Sequence, residues 1–165
     1  MKKWSIKSIL KEAVITLLMI FIITIGLNYI RKPNVDSRLP DIKLTSIDNQ
    51  EVSLVKKEPL VLHFWATWCP TCKFEASNIQ DLKDSGIRVV TVAVNSGSSK
   101  SIEKFIKERG YDYIVINDYS GELAERFNVT AFPTTFIYNS NGHLEFSEVG
   151  YSTTVGLKAR VKLIE

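Results

Sequence analysis

The sequence is poor in the residues that build disulfide frameworks and metal sites. It contains only two cysteines and two histidines among 165 residues. A framework of several disulfides is therefore excluded. The histidines, His63 and His143, are far apart in the chain, and without a second cysteine pair we expect no closed four-ligand zinc site. What remains is one Cys-x-x-Cys pair, Cys69 and Cys72, which indicates redox chemistry or half of a metal site.

The sequence also lacks an excess of basic residues in its larger part. The chain has a net charge of +3, but residues 1–32 hold six basic residues and one glutamate, so residues 33–165 carry −2. The basic balance of the whole chain comes from its N-terminal segment. It therefore gives no indication of nucleic acid binding.

Charged residues are absent from residues 13–30. A helix over these 18 residues would span about 27 Å, close to the roughly 30 Å hydrocarbon core of a bilayer. More basic residues precede the run than follow it, so its N-terminal end should stay in the cytoplasm. The sequence therefore predicts a cytoplasmic basic tail (1–12) and a transmembrane signal-anchor (13–30) in the inner (cytoplasmic) membrane. The rest of this single-pass chain would face the periplasm or outer side.

The rival interpretation of the N-terminus is a cleaved signal peptide. The apolar core is long for such a peptide, and no Ala-x-Ala-like site follows it, residues 24–26 being the best match. We therefore favour an uncleaved anchor. Under either interpretation, the rest of the chain is exported.

The chain after the anchor shows an α/β pattern. Residues 31–40 are polar, contain two prolines and are predicted to be a linker. Apolar or β-branched runs predict strands at Leu60–Trp65, 87–94, 114–116 and Thr134–Tyr138. Turn residues predict a small hairpin within 41–54, around Asp48-Asn49, and a second hairpin at Asn141-Gly142.

Helices with a buried stripe are predicted between these strands. The first begins at Pro70, which suits a first helical position, and ends at Gly86. The predicted inward residues are Phe74, Ile79 and Leu82 in this helix, Ile102, Phe105 and Ile106 in the next, Leu123 and Phe127 in a short helix capped by Ser120, and Val155, Ala159 and Leu163 in a closing helix. This order predicts a mixed sheet with helices on both faces.

Cys69 is predicted to lie where a strand ends and a helix begins. Unpaired N–H groups and the helix dipole stabilise an anion there, and only a thiolate attacks a disulfide. We expect Cys69 to be the nucleophile and Cys72, one turn later, to resolve the mixed disulfide. A purely structural pair is the alternative, which the strand, the helix start and the export signal together disfavour.

Residues 65–72, Trp-Ala-Thr-Trp-Cys-Pro-Thr-Cys, resemble the active-site signature of the thioredoxin superfamily. The resemblance extends over 39–165, includes Phe132-Pro133-Thr134 and Asn141-Gly142, and is to the exported, membrane-anchored TlpA-like, DsbE-like and ScsD-like thiol–disulfide oxidoreductases. It implies a thioredoxin-like α/β fold over 41–165, with a mixed central sheet flanked by helices. It also implies a protein disulfide oxidoreductase that needs no metal or organic cofactor.

The resemblance also implies roles for residues around the dithiol. Pro133 would be a cis-proline beside it, and Phe132 would offer backbone hydrogen bonds to a substrate strand, although a bulky residue departs from the family pattern here. Trp68 would shield the disulfide. Glu75 matches an acidic residue that accepts the Cys72 proton, its alternative being a solvated glutamate in the first turn.

Three residues bear on the direction of electron flow. His63 stands where thioredoxin has a buried acid, and a protonated imidazole there would favour the thiolate and an oxidising protein. A core histidine whose ring is hydrogen-bonded to the backbone is the alternative that we favour. Pro70 and Thr71 replace Gly-Pro of thioredoxin and also point to an oxidant. TlpA-like relatives, however, are often reductants supplied by an integral-membrane thiol carrier, so both directions stay open.

The predicted function is thiol–disulfide exchange with exported proteins. An alternative from another class is a copper-binding or metallochaperone module. Cys69 and Cys72 would then hold Cu(I), which prefers thiolates, and His63 or His143 would have to supply a third ligand.

Overall fold

The chain forms two units. The computed structural model describes residues 6–31 and 37–164. The division falls between Met1–Lys32 and Pro33–Glu165.

The first unit contains one helix in its described part, α1 (Ile6–Arg31). Among the residues that the structure describes, no helix combines the length and apolar character needed to cross a membrane. Residues 1–5 of the predicted tail, the side chains of 24–30 in the predicted span, and residues 32–36 of the predicted linker lie outside the described residues. The helical conformation expected for 13–30 is present, and membrane crossing stays a prediction.

The second unit is built on a mixed five-stranded sheet. Its elements in chain order are β1 (Lys43–Thr45), β2 (Glu51–Ser53), β3 (Leu60–Trp65), α2 (Pro70–Asp84), β4 (Val89–Val94), α3 (Ser99–Lys107), β5 (Ile114–Asp118), α4 (Glu122–Arg126), β6 (Thr134–Tyr138), β7 (Leu144–Val149) and α5 (Thr154–Lys162). The strand order is β5-β4-β3-β6-β7. Strands β3, β4 and β5 are parallel, and β6 and β7 are antiparallel to their neighbours. The predicted mixed α/β sheet is confirmed.

Both faces of the central strand β3 are covered, which explains its continuous apolar sequence. Val61 and Trp65 point into a core that also contains residues of α2, α3 and α5. Leu62 and Phe64 point into a second core with residues of α4 and the β1–β2 hairpin. The sheet therefore separates two cores, and β3 belongs to both.

The folded unit begins before the predicted boundary at residue 41. The backbone N–H of Leu39 donates to the Gly142 carbonyl over 2.8 Å, and that of Leu144 donates to the Ser37 carbonyl over 2.8 Å. The Leu39 side chain is buried in the second core. The C-terminal end of the predicted linker 31–40 is thus part of the domain.

The buried faces of two helices differ from the prediction. In α2, Phe74 is 77% exposed, whereas Glu75 is fully buried together with Cys72, Ala76, Ile79 and Leu82. In α5 the buried residues are Leu157 and Val161, while Val155, Ala159 and Leu163 are exposed. A residue two positions from a buried one lies about 200° away around the helix. Because Cys72 faces the core, Phe74 cannot.

Asp118, at the end of β5, caps α4 instead of the predicted Ser120. Its carboxylate accepts the backbone N–H groups of Leu123 over 3.1 Å and Ala124 over 2.8 Å. Gly121 occupies the N-cap position with φ 84° and offers no side chain. The cap therefore comes from the preceding strand and fixes α4 to the end of β5.

We expect Asp118→Ala to lower the free energy of unfolding by about 1–2 kcal/mol, because it leaves two N–H groups at the start of α4 without their acceptor. Ser120→Ala is the matched control and should change it by less than about 0.5 kcal/mol. Urea unfolding followed by circular dichroism measures both. Equal losses in the two variants would contradict the assignment of the cap.

Candidate active site

The dithiol lies where β3 ends and α2 begins, as predicted. Cys69 is the N-cap residue of α2, and its Sγ accepts the backbone N–H of Cys72 over 3.2 Å. The two cysteines form a disulfide, with Cα atoms 5.3 Å apart. Both side chains are buried. A donor at the helix N-terminus therefore points at the sulfur of the predicted nucleophile.

The loop before β6 brings Pro133 to the dithiol from a distant part of the chain. The Phe132–Pro133 peptide bond is cis, as the resemblance implies. The Phe132 carbonyl oxygen lies 3.7 Å from Cys69 Sγ. The Pro133 carbonyl accepts the backbone N–H of Gly150 over 2.8 Å, which ties the end of β7 to the same loop.

Two aromatic residues flank the dithiol on its exposed side. Trp68 is 57% exposed and packs edge-to-face on Phe132, with ring centroids 5.7 Å apart. Its indole N–H donates to the Asn95 carbonyl over 3.1 Å. Trp65, by contrast, lies in the core. Both residues predicted to contact a substrate thus stand next to the sulfurs.

The loop after β4 is hydrogen-bonded to the loop that precedes Cys69. The sequence analysis did not predict this contact. Ser96 is buried, accepts the backbone N–H of Thr67 over 3.0 Å and donates to the Val94 carbonyl over 2.9 Å. A signal was present, because polar loops at the carboxyl ends of neighbouring parallel strands meet at one edge of a sheet. Ser96 follows β4, the parallel neighbour of β3.

Glu75 is a buried carboxyl group on the face of α2 that carries Cys72. The two residues are three positions apart, so their side chains are neighbours on the helix. Neither carboxyl oxygen has a partner of hydrogen-bonding geometry among the described residues. Burial raises the pKa of Glu75 to about 8, and hydrogen bonding to the Ser152 backbone opposes this rise, although that contact falls outside strict hydrogen-bond geometry. The alternative of a solvated glutamate is wrong.

His63 is buried in the middle of β3 and pairs across the sheet with Thr135. Its Nδ1 shares a hydrogen bond with the Thr135 hydroxyl over 2.9 Å. Burial lowers the pKa of His63 to about 3, so the imidazole is neutral at physiological pH. His63 is thus a core histidine, as expected, but the expected backbone partner is wrong, because the ring bonds to the Thr135 hydroxyl instead. A protonated imidazole therefore no longer supports the interpretation of the protein as an oxidant.

The remaining candidate ligand for copper lies away from the cysteines. His143 is exposed in the turn that follows β6, whereas Pro133 precedes that strand. The strand's five residues separate the two ends by roughly 17 Å. Within the part of the chain that the structure describes, no group of three His, Cys, Asp or Glu side chains could hold a metal ion. The copper alternative has no support in this arrangement.

The two buried titratable groups predict a plateau in stability between about pH 4.5 and 6.5. The pKa of His63 is lowered from 6.5 to about 3, so stability is lost as pH falls through that range. The pKa of Glu75 is raised from 4.5 to about 8, so stability is lost as pH rises through that range. In the pH ranges where only one group titrates, the free energy of unfolding should change by about 1.4 kcal/mol per pH unit.

Urea unfolding of the oxidised protein at a series of pH values measures this profile. Glu75→Gln should abolish the decline between about pH 6.5 and 8. Glu125→Gln, which changes an exposed glutamate, should keep it. A wild-type profile that is flat above pH 6.5 would contradict the burial of a protonated Glu75.

Comparisons with known proteins agree with this geometry. A thioredoxin-like protein of Haemophilus influenzae is 31% identical over 163 residues, which cover 97% of each chain. Sporulation thiol-disulfide oxidoreductase A of Bacillus subtilis is 32% identical over 122 residues, or 70% of this chain and 74% of that protein. The thiol:disulfide interchange protein DsbE of Escherichia coli is 34% identical and aligns with 68% of this chain and 63% of its own.

The fold and the family model lead to the same assignment. The crystal structure of StoA from Bacillus subtilis superimposes with a TM-score of 0.66 at 28% identity, covering 73% of this chain and 98% of StoA. The family model described as Redoxin matches residues 34–161. The chain therefore belongs to the Redoxin family, as a thioredoxin-like thiol–disulfide oxidoreductase of the TlpA-like and DsbE-like group.

Proposed function

We propose that this oxidoreductase exchanges disulfides with exported proteins, with Cys69 as the attacking residue and Cys72 as the resolving residue. The observation that carries the proposal is the contact of Cys72 N–H with Cys69 Sγ, 3.2 Å long, at the start of α2. A donor aimed at one sulfur favours negative charge on that sulfur. The Cys72 sulfur has no such place at the helix terminus, since Cys72 lies within α2.

Reduction of a substrate proceeds in two exchanges. The Cys69 thiolate attacks one substrate sulfur, the substrate S–S bond breaks, and the other substrate sulfur leaves as a thiolate that takes up a proton. Cys72 then loses its proton and attacks Cys69 Sγ, which releases the first substrate sulfur as a thiolate. The substrate gains two electrons and the enzyme is left as the Cys69–Cys72 disulfide. The reverse sequence oxidises a dithiol.

Glu75 is proposed as the group that accepts the Cys72 proton. With its pKa raised to about 8 by burial, the carboxyl approaches the ordinary thiol pKa of about 8.5, so proton transfer between the two groups is nearly balanced. An ordinary carboxylate would be a much weaker base. Burial therefore suits Glu75 to this role.

The substrate is proposed to lie along Phe132 and Trp68. The backbone of Phe132 stands beside Cys69, with its carbonyl oxygen 3.7 Å from the sulfur. The exposed Trp68 ring lies edge-to-face on Phe132. A polypeptide whose disulfide reaches Cys69 would therefore meet a backbone acceptor and an aromatic surface.

The redox potential measured by equilibration with glutathione assigns the direction of electron flow. A value near that of thioredoxin, about −270 mV, fits a reductant, and one near that of DsbA, about −120 mV, fits an oxidant. Pro70 and Thr71 are exposed at the start of α2. Of the three residues predicted to tune the redox potential, these two should be substituted in this measurement, because His63 is neutral.

We expect Cys69→Ser to abolish disulfide exchange, because the sulfur that attacks the substrate is lost. Cys72→Ser should retain attack but accumulate mixed disulfides with partner proteins, because nothing resolves them. Insulin reduction and gel analysis after alkylation measure the two effects. Exchange that survives Cys69→Ser would overturn the assignment of the nucleophile.

We also propose that residues 13–30 anchor the domain to the cytoplasmic membrane, with the dithiol on the periplasmic or outer side and an integral-membrane thiol carrier as redox partner. The uncharged run, the heavier basic flank before it and the continuous helix α1 support this topology. Several apolar side chains of α1 are also exposed: Val14, Ile15, Leu17, Leu18, Met19, Ile20, Phe21, Ile22 and Ile23. Lipid would cover such a surface.

In a bacterial host, an alkaline phosphatase fused to the C-terminus of the full chain should be active and should stay in the membrane pellet after carbonate extraction. Deletion of residues 1–30 should leave the fusion inactive in the cytoplasm. An active fusion that carbonate releases would instead support the cleaved signal peptide. An inactive full-length fusion would contradict export.

A further inference from the structure

The segment between β7 and α5, residues 150–153, connects the proline loop to α2. At one end, the Gly150 N–H donates to the Pro133 carbonyl over 2.8 Å. At the other end, the Asn78 side-chain amide donates to the Ser152 carbonyl over 2.8 Å and to the Tyr151 hydroxyl over 3.1 Å. We call residues 150–153 the covering segment.

Both the amide nitrogen and the amide oxygen of Asn78 form hydrogen bonds here. Its Oδ1 accepts the hydroxyl of Thr154 over 3.1 Å, so the first residue of α5 is held as well. The covering segment has little apolar anchoring of its own, because Tyr151 is 53% exposed and its other residues are one glycine, one serine and one threonine. Hydrogen bonds from Asn78 therefore account for its attachment to this part of α2.

Asn78 and Glu75 act on the same residue of the covering segment. They are three positions apart on α2, so they lie one turn from each other. Asn78 binds the Ser152 carbonyl, and the Ser152 backbone acts on the Glu75 carboxyl. Asn78 thus holds the carbonyl of the residue whose backbone N–H acts on Glu75, and the two contacts involve the peptide groups on either side of the Ser152 Cα.

We propose that Asn78 is a positioning residue that holds residues 150–153 closed over Glu75 and keeps water from the carboxyl that accepts the Cys72 proton. This inference rests on the proposed role of Glu75. It adds a residue that touches neither sulfur. Removal of the Asn78 amide would free the segment and admit water to the carboxyl.

The charged groups on the surrounding elements do not account for the state of Glu75. Titratable groups on these elements include His63 on β3, Glu148 on β7, Arg160 on α5 and Asp81 on α2. His63 is neutral, Glu148 and Arg160 pair with each other over 2.9 Å, and Asp81 accepts the Thr154 hydroxyl over 3.2 Å. Burial and the Ser152 backbone are the two causes that act on the pKa of Glu75. The covering segment contributes to both.

The experiment follows the Glu75 carboxyl directly, by carbon NMR of the oxidised full chain labelled at glutamate Cδ. The Glu75 signal is assigned by its loss in Glu75→Gln. In the wild type its titration midpoint should lie near pH 8, and in Asn78→Ala it should fall by at least about one pH unit, because hydration favours the ionised form. Backbone hydrogen exchange at residues 151–153 should accelerate in the same variant.

Two further variants separate positioning from general destabilisation. Ser77→Ala changes the exposed neighbour of Asn78 on α2 and should leave the midpoint in place. Thr154→Val removes one of the bonds to Asn78 and should shift the midpoint in the same direction by less, which keeps the test available if Asn78→Ala does not fold. An unchanged midpoint in Asn78→Ala, or an equal shift in Ser77→Ala, overturns the inference.

The role of Glu75 itself is tested by a different readout. The rate at which Cys72 resolves a mixed disulfide should fall in Glu75→Gln, with the loss greatest where the wild-type carboxyl is ionised. An unchanged rate would overturn Glu75 as the proton acceptor, while the NMR titration would still decide whether Asn78 controls the hydration of Glu75. Failure of the one proposal is thus distinguishable from failure of the other.

Discussion

The active site depends on one contact, the backbone N–H of Cys72 donating to Cys69 Sγ at the first turn of α2. That contact exists because β3 delivers the chain to the helix start at a fixed place, with both its faces packed in separate cores. The neighbouring strands bring the other active-site residues to the same edge of the sheet. Ser96 arrives after β4 and Pro133 before β6. The chemistry is therefore a property of the sheet edge as much as of the two cysteines.

The site also combines two titratable side chains that are both buried in the uncharged form. His63 is neutral because burial lowers its pKa, and Glu75 is mostly protonated near neutral pH because burial raises its pKa. The interior next to the dithiol consequently carries little net charge at neutral pH, and only the ionised fraction of Glu75 can accept the Cys72 proton. A proton that leaves Cys72 then enters a poorly hydrated environment, where the position of each polar group matters more than in water.

Much of this arrangement could be predicted from the sequence, because it depends on patterns that a short segment contains. The apolar run of β3, the Asn141-Gly142 turn and the position of Pro70 each specify their own local structure. The rotation of α2 could not be predicted from hydrophobicity, since Phe74 is exposed while Glu75 is buried. That rotation is set by the disulfide and the sheet. The cap of α4 was missed for a similar reason, because Asp118 reaches it from the preceding strand.

The pairing of residues 37–39 with the turn around Gly142 determines where the chain enters the catalytic domain. That turn lies at the end of β6 remote from Pro133, so the entry point and the sulfurs occupy opposite ends of the sheet. The chain therefore enters the domain at the end of the sheet away from the reactive edge. Under the proposed anchoring by residues 13–30, this placement would present the reactive edge to large folded clients and would require a donor embedded in the membrane to extend its own thiols outward.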